Sequence, residues 1–517
     1  MVNKMRSKKA VYNIITNLIL QIIILLYGFL IPKIIIKNFG SSVNGLVTSI
    51  TQFLGYIMLL ESGFCPVVKS LLYKPIANKD YNTIKNILKT AEIFFKKIAY
   101  IFIIYILFLA VLYPIIINNE FDFVFTSSLI IIISISIFAE YYFGMVYRLY
   151  LQAEQKNYII SIIQIISYIL STFSIIVMVR FHASIHFIKL IGGLIFVLRP
   201  ILQNLYVKKK YNITFDESDG KYEIKQKWDG LIQHIAYVIH SNTDVVVLTL
   251  FSTLNNVSIY SIYHMVTTGI KSLSSSFLNG IDSSFGDMIA KNEIRNLNNK
   301  YGIYETAYLI IISILYISTM ILIVPFVSVY TKSITDANYI QYTFGYLIVV
   351  AQFIWSIRQP YNELIKAAGR FKETKKGAIV EALSNIIISI ILVSKYGLVG
   401  VAIGTIVAMS LRTIEFIYYT NKHILNRSLH YSIKKIILVI IESIMIFYFS
   451  RYLPYLDNIN YLNWFANATI TVFVTFVVVM LINLLFCREE LYEVFKVFRH
   501  IISKMKMRKD KTYEERI

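Results

Sequence analysis

His264, Thr268, Lys271, Ser275, Asn279 and Asp282 recur at intervals of three and four residues through HMVTTGIKSLSSS (264–276) and just beyond it. At 100° per residue they share one face roughly 80° wide, while the rest of the segment is apolar. An ammonium flanked by imidazole and hydroxyl groups can hold an anion and solvate a hydroxyl-rich molecule. If the segment crosses a membrane from residue 257, Lys271 lies about 21 Å along it at 1.5 Å per residue. A charged stripe facing lipid is heavily penalised, so the face must look onto a cavity or another helix. The alternative is a lysine that snorkels along a helix seam toward the membrane surface.

Other groups with chemical potential flank this stripe. His240 and Asp244 stand at i, i+4 and face each other, a unit that can take up and release protons or serve as a structural hydrogen-bonded pair. Thr48, Gln52, Gly55 and Ser62 share a weaker polar face in an earlier segment, with Glu61 off it and near its end. Arg148, Arg199, Arg358 and Arg412 sit at or near segment ends, where arginine commonly anchors in headgroups. Arg412 can pair with Glu415. Turned inward, the four would make a basic vestibule, and the arginine fork suits a diphosphate because it binds two oxygens at once. HASIH (182–186) has two histidines at i, i+4 but falls in a short loop, and we assign no metal site. There is no G-x-x-x-x-G-K-[ST] phosphate loop and no H-E-x-x-H, and no residue is assigned a catalytic role.

These groups need elements to hold them, and the composition says which. Of 517 residues, 56% are apolar, and mean hydropathy is +0.61, far above soluble globular values. The expected class is an all-α polytopic membrane protein. Fourteen apolar windows are long enough to cross ~30 Å of hydrocarbon. They are 11–31, 43–64, 95–117, 123–147, 157–179, 184–206, 229–251, 257–280, 303–327, 338–357, 376–394, 397–419, 432–451 and 464–487. The start, MVNKMRSKKA, lacks an A-x-A-like cleavage site and reads as an uncleaved first span. Cys65 and Cys487 do not make a disulfide framework.

The formal charge of +21 comes from 51 Lys and Arg against 30 Asp and Glu. In a soluble chain that excess would point to nucleic acid; here it sorts by loop. Loops on the side away from the N-terminus carry only Lys33, Lys37, Arg180, Lys332, Lys395 and Arg451. Nearly all the rest lie on the N-terminal side, so the positive-inside rule places both termini in the cytoplasm. The excess then faces the anionic inner leaflet. The abundance of Ile, Asn, Lys, Tyr and Phe points to an AT-rich, bacterial genome, and so to a bacterial cell membrane.

The chain echoes itself. IANKDYNTIKN (76–86) returns as IAKNEIRNLNN (289–299), NLILQII (17–23) as GLIQHIA (230–236), and LQAEQKNY (151–158) near IKAAGRFK (365–372), at an offset close to 213. The expected organisation is two six-helix bundles, 1–208 and 229–425, joined by a polar cytoplasmic linker, 209–228. A further helix pair, 426–487, and a basic tail, 488–517, follow. An even number of helices per copy relates the copies by an axis along the membrane normal.

NFGSSVNGLVTSITQFLGYIMLLESGF (38–64), SNTDVVVLTLFSTLNNVSIYSIYHMVTTGI (241–270) and AAGRFKETKKG (367–377) carry a resemblance. Over residues 10–425 the chain resembles the MATE-like multidrug/oligosaccharidyl-lipid/polysaccharide exporter superfamily. Within it the chain is most similar to the Wzx-type polysaccharide repeat-unit flippases, in which an Asp late in the seventh span is followed by F, a short turn and V-x-x-Y. The resemblance implies a polyprenyl (undecaprenyl)-diphosphate oligosaccharide substrate, flipped to the outer leaflet by alternating access coupled to H+ or Na+, with no other cofactor. It implies as partners the membrane lipids, a polysaccharide polymerase and glycosyltransferases. It puts Lys271, His264 and Gln52 on the cavity, where the polar stripe adds Thr268 and Ser275; from the residues themselves, Asp244, His240 and Glu61 are candidates for ion coupling. The related peptidoglycan lipid flippase also has fourteen spans, but its cavity is arginine-lined, whereas the first two spans here offer no mid-membrane arginine.

Three other readings make different demands on the sequence. A MATE-type multidrug exporter calls for an acidic, aromatic cavity for cations. A membrane polymerase or glycosyltransferase calls for a large outer loop, and the outer loops are short. A passive scaffold has no need of a charged stripe.

Overall fold

The computed structural model describes residues 2–61, 63–117, 120–211, 229–278, 281–452, 456, 460–496 and 499, with backbone alone for 2–8, 10, 229–233 and 281–283. Linker residues 212–228, most of the tail beyond 496, Asn279 and the Asp282 side chain lie outside the described residues.

Every described element is helical, with no strand among the described residues. In chain order they are α1 (Val2–Phe39), α2 (Ser41–Gly55), α3 (Met58–Glu61), α4 (Phe64–Asn78), α5 (Tyr81–Ile116), α6 (Phe123–Ala139) and, after a π-turn at Glu140–Gly144, α7 (Met145–Ala153). Then come α8 (Asn157–Arg180), α9 (Ile185–Tyr211), α10 (Asp229–Phe251), α11 (Leu254–Ser276), α12 (Ile281–Ala290) and α13 (Ile294–Tyr330). The last are α14 (Tyr342–Ile357), α15 (Gln359–Ala367), α16 (Lys375–Tyr396), α17 (Leu398–His423), α18 (His430–Phe449) and α19 (Tyr461–Phe486).

Each of the fourteen windows contains a described helix, and among the described residues ten helical stretches are long and apolar enough to cross a membrane. The windows that fall short belong to α10, α11, α14 and α18. Three of these carry His240 and Asp244, the Lys271 stripe, and Lys434, Lys435 and Glu442 respectively; α14 is only 16 residues long. The chain is a multi-pass helical membrane protein. Its outer surface agrees: Phe173, Ile391 and Leu462 are 66%, 65% and 83% exposed, which suits lipid and not water.

Start signals are local. Asp80 accepts from the Thr83 backbone and caps α5, Asp122 caps α6, and Asn460 caps α19. Hydrogen bonds from the Thr83 hydroxyl and backbone hold the Asp80 carboxyl below its usual range. The sequence echo has a conformational counterpart. Lys79 and Asn292 both take a left-handed φ of 56°, and the long helices α5 and α13 begin two residues later in each case, at Tyr81 and Ile294. Non-glycine residues rarely adopt that φ, so the matching turns, 213 positions apart, are a conformational repeat.

The described residues pack as two compact units. The first contains residues 1–261, 333–337 and 393–397; the second contains 262–332, 338–392 and 398–517. In the first, α8 lies between α1 and α9, α6 packs on α5 and α9, and α2 packs on α1 and α10. Side-chain amides stitch α1 to α8: Asn13 Oδ1 accepts from Tyr158 N at 2.8 Å and Asn17 Oδ1 from Ser161 Oγ at 2.7 Å. In lipid the hydrophobic effect gives helices no reason to associate, so such bonds and close packing at small residues hold them together.

In the second unit α13 is the central rod, packed against α14, α18 and α19, while α14 packs on α17. Glycines set the α16–α17 spacing: a Cβ at Gly400 would lie 2.4 Å from the Leu392 carbonyl oxygen, and one at Gly404 2.2 Å from Ser389 Oγ.

Candidate functional site

In the second unit, α11 carries the polar stripe. Its buried side anchors it: the Tyr263 hydroxyl donates to the Tyr339 carbonyl at 2.8 Å, and Ser274, Ser356 and Tyr316 form a buried hydroxyl chain. Thr268 on the other side is exposed, and His264, Lys271 and Ser275 are half-buried. Thr268 Oγ1 sits 3.4 Å from His264 Nδ1. The structure therefore brings His264, Thr268, Lys271 and Ser275 onto the less buried face of one helix.

Lys271 forms no ion pair among the described residues. Its Nζ lies 4.0 Å from the Trp355 ring centroid, a cation–π contact. It is within electrostatic reach of Arg358 and Glu381, but those two already bind each other at 2.5 Å, both nearly buried. Glu381 also faces Arg412 Nε at 3.7 Å, and Arg412 reaches Glu415 at 2.5 Å and the Thr374 carbonyl. Three cations thus face two carboxylates, and the positive charge left over belongs to Lys271, whose ammonium meets an aromatic face.

The expected vestibule of four arginines takes a different form. Arg148 pairs with Glu140 at 3.2 Å, Arg358 and Arg412 are tied up as above, and Arg199 packs on Tyr168 and Phe196. The loop AAGRFKETKKG is explained by this wiring. Its Thr374 supplies a carbonyl to Arg412, and Gly377 leaves room for Glu415, whose carboxyl would lie 1.6 Å from a Cβ there.

In the first unit, Gln52 Nε2 donates to Asn242 Oδ1 at 2.5 Å. That bond belongs to a ladder the sequence reading missed. Asn44 donates to Ser258 Oγ at 2.8 Å, Ser42 to Asn255 at 2.8 Å, and Tyr113 to Ser49, which in turn meets Thr249 at 2.6 Å. Gly45 permits the approach, since a Cβ there would lie 1.8 Å from the Leu254 carbonyl oxygen. The ladder ties α2 to α10 and to the first turns of α11.

Asp244 and His240 are both buried on α10. Asp244 Oδ2 accepts from Tyr260 at 2.9 Å. This supplies a physical reason for the pattern of a late Asp followed by V-x-x-Y: the tyrosine of VSIY (257–260) returns across the α10–α11 turn to satisfy the buried carboxylate. Glu61 lies near Tyr141 and Arg148, and its Oε2 is buried without a hydrogen-bond partner. His186 of HASIH bonds the Phe125 carbonyl at 2.9 Å, and no cluster of three metal-ligating side chains occurs among the described residues.

Sequence reasoning also missed a buried charge cluster in the second unit. Glu305 on α13, fully buried, accepts from Tyr361 at 2.5 Å, Lys435 at 3.0 Å, Arg427 at 3.0 Å and 3.1 Å, and Ser432 at 3.1 Å. It pins the start of α18 to α13. The available signal was Glu305 itself, an acid inside an otherwise apolar run.

No family model matches the chain, and no curated protein matches it by sequence. Solved structures do match. A lipid II flippase, MurJ, superposes with a TM-score of 0.69 at 14% identity, over 93% of this chain and 99% of that one. A multidrug resistance MATE family transporter of the MOP superfamily gives 0.58 at 13% identity, over 79% of this chain and 97% of that one. A MOP superfamily transporter from Pyrococcus furiosus, described as having a binding pocket of reversed polarity, gives 0.51 at 12% identity, over 81% and 97%. At these identities the likeness establishes a shared fold.

Proposed function

We propose that this protein is a flippase that carries polyprenyl (undecaprenyl)-diphosphate-linked oligosaccharide repeat units from the cytoplasmic to the outer leaflet of a bacterial cell membrane, for surface polysaccharide synthesis. The observation that carries the reading is Lys271: a cation on α11, without an acidic partner among the described residues, on the same helix face as the His264 imidazole and the Thr268 and Ser275 hydroxyls. A cation in hydrocarbon is costly and rare unless it serves a function, and the partner that suits this one is an anion. A diphosphate supplies the charge, and sugar hydroxyls suit His264, Thr268 and Ser275. The polyprenyl tail needs no protein and can remain in lipid. The fold shared with a lipid II flippase supports a lipid-linked substrate. Asp244 and His240 are the groups we assign to coupling with H+ or Na+, and alternating access needs only a few kcal/mol of differential binding to reverse a two-state equilibrium.

A cationic-drug exporter fits less well, because the charge along the stripe is positive. Purified full-length protein in liposomes, given fluorescent undecaprenyl-diphosphate oligosaccharide, tests the reading through exposure of the sugar to an impermeant lectin. Wild type should accelerate exposure over protein-free vesicles. Lys271→Ala should lose one charged hydrogen bond, about 1.5–3 kcal/mol, which is roughly 10- to 150-fold in affinity. No acceleration by wild type, or equal rates at equal incorporation, overturns the proposal.

A further inference from the structure

Arg148, Arg358 and Arg412 each meet a carboxylate. Arg199, on α9 in the first unit, meets none among the described residues. Its guanidinium carbon lies 4.3 Å from the Tyr168 ring centroid and 4.0 Å from that of Phe196. Tyr27 of α1 completes a three-ring group, 4.9 Å from Tyr168 and 6.1 Å from Phe196. Cation–π contact occupies the face of a guanidinium but uses none of its N–H donors.

Arg199 Nε and Nη2 are buried without a hydrogen-bond partner. These two nitrogens form one edge of the planar fork, the edge that can grip two oxygens side by side. Buried donors left unpaired are rare and costly, so an unfilled pair calls for an occupant. One turn further on, Gln203 Oε1 and Asn204 Oδ1 are also buried and unpartnered, and Gln203 is 1% exposed. A carboxamide offers a donor or an acceptor by turning about its last bond, so the pair can serve phosphate oxygens or sugar hydroxyls.

The backbone fixes this group. Pro200 has no N–H to give the Phe196 carbonyl. Gly144, in the π-turn, lets Pro200 come so close that a Cβ there would lie 2.6 Å from Pro200 Cβ. Arg199 lies about 21 Å along α9 from Ile185 and about 14 Å from Lys208, at 1.5 Å per residue. It is therefore within the thickness of the hydrocarbon.

We propose that the Nε/Nη2 edge of Arg199, with Gln203 and Asn204, is a binding site for the diphosphate of a lipid-linked substrate, built inside the first unit and separate in sequence from the Lys271 stripe. This rests on the flippase reading and deepens it. Aromatic rings orient the guanidinium, its free edge takes the anion, and the exposed apolar residues of the same helix, such as Leu198 and Leu202, offer lipid contact for a prenyl chain.

Full-length protein in detergent is titrated with farnesyl diphosphate, farnesol, inorganic pyrophosphate and phosphatidylglycerol, with binding read by native mass spectrometry and by ligand-induced rise in melting temperature. Farnesyl diphosphate should bind more tightly than inorganic pyrophosphate, and farnesol should not bind. Arg199→Gln should weaken farnesyl diphosphate by about tenfold or more, and Arg199→Lys, which keeps the charge without the two-pronged edge, by an intermediate factor. If Arg199→Gln does not fold, Arg199→Lys and Gln203→Leu carry the test, each expected to weaken the same probe. Unchanged binding in the Arg199 variants with loss in Lys271→Ala overturns this site and leaves the flippase reading standing. Equal affinity for inorganic pyrophosphate, or Arg199-dependent binding of phosphatidylglycerol alone, also overturns it. Failure of wild type to bind any diphosphate removes both.

Discussion

Replacing Glu305 with Gln strands two cations. The Glu305 carboxylate is fully buried and takes bonds from Lys435 at 3.0 Å, Arg427 at 3.0 Å and 3.1 Å, Tyr361 and Ser432. Gln is nearly isosteric, so no cavity forms, and the charge is what changes. Removing one partner of a buried ion pair costs about 3–5 kcal/mol, because the other is left uncompensated. At 2–4 °C per kcal/mol, a scale that applies to domains of 150–250 residues, the melting temperature should fall by about 10 °C. Lys435→Met should cost less, since Glu305 keeps Arg427. The double variant Glu305→Gln/Lys435→Met has one stranded cation fewer, so its loss should be smaller than the sum of the single losses, with a coupling of about 0.5–3 kcal/mol. Fluorescence-detected thermal unfolding of the full chain in detergent, with all variants at equal concentration, reads the cycle. Because α18 is pinned to α13 through this cluster, protease sensitivity between residues 424 and 435 should rise in Glu305→Gln. A Glu305→Gln protein that melts with wild type, or strictly additive losses, would refute the assignment of Glu305 as the counter-charge of the cluster.

Three further outcomes are expected. Gly45→Ala places a Cβ 1.8 Å from the Leu254 carbonyl oxygen; overpacking of that kind costs about 1–3 kcal/mol or more, visible as a lower melting temperature. Tyr260→Phe removes the 2.9 Å bond to buried Asp244 and should destabilise by about 1.5–3 kcal/mol, with a larger fractional loss of lectin-detected transport than an exposed control such as Tyr396→Phe. A fluorescent protein fused after Ile517 should mature in cells while an alkaline phosphatase fused there stays inactive, as the loop charges require for a cytoplasmic C-terminus; the reverse would invert the orientation.

Much of this protein is legible without coordinates, for a definite reason. In a bilayer each span must satisfy its own backbone hydrogen bonds, so apolar windows of sufficient length become helices; each of the fourteen contains one, and ten described stretches are long and apolar enough to span. The echo at 213 residues was legible because the turns at Lys79 and Asn292 are local features, set by a few neighbouring residues. The stripe of His264, Thr268, Lys271 and Ser275 was legible because helical periodicity alone aligns side chains on one face.

What the periodicity could not settle is which charges are already spent. Arg358 and Arg412 look alike from sequence to Arg199, yet Glu381 and Glu415 neutralise the first two and aromatic rings surround the third. Gln52, expected on the cavity, donates to Asn242. Asp244 is one turn from His240 in the sequence, and it also accepts from Tyr260 of the next helix. Pairing between helices depends on their spacing and rotation, which glycines such as Gly45 and Gly404 set through close contacts with residues far off in the chain. One chain of amino acids fixes the period of each helix; only packing decides which of its polar groups meet one another and which, like Lys271 and Arg199, meet aromatic rings and no carboxylate among the described residues.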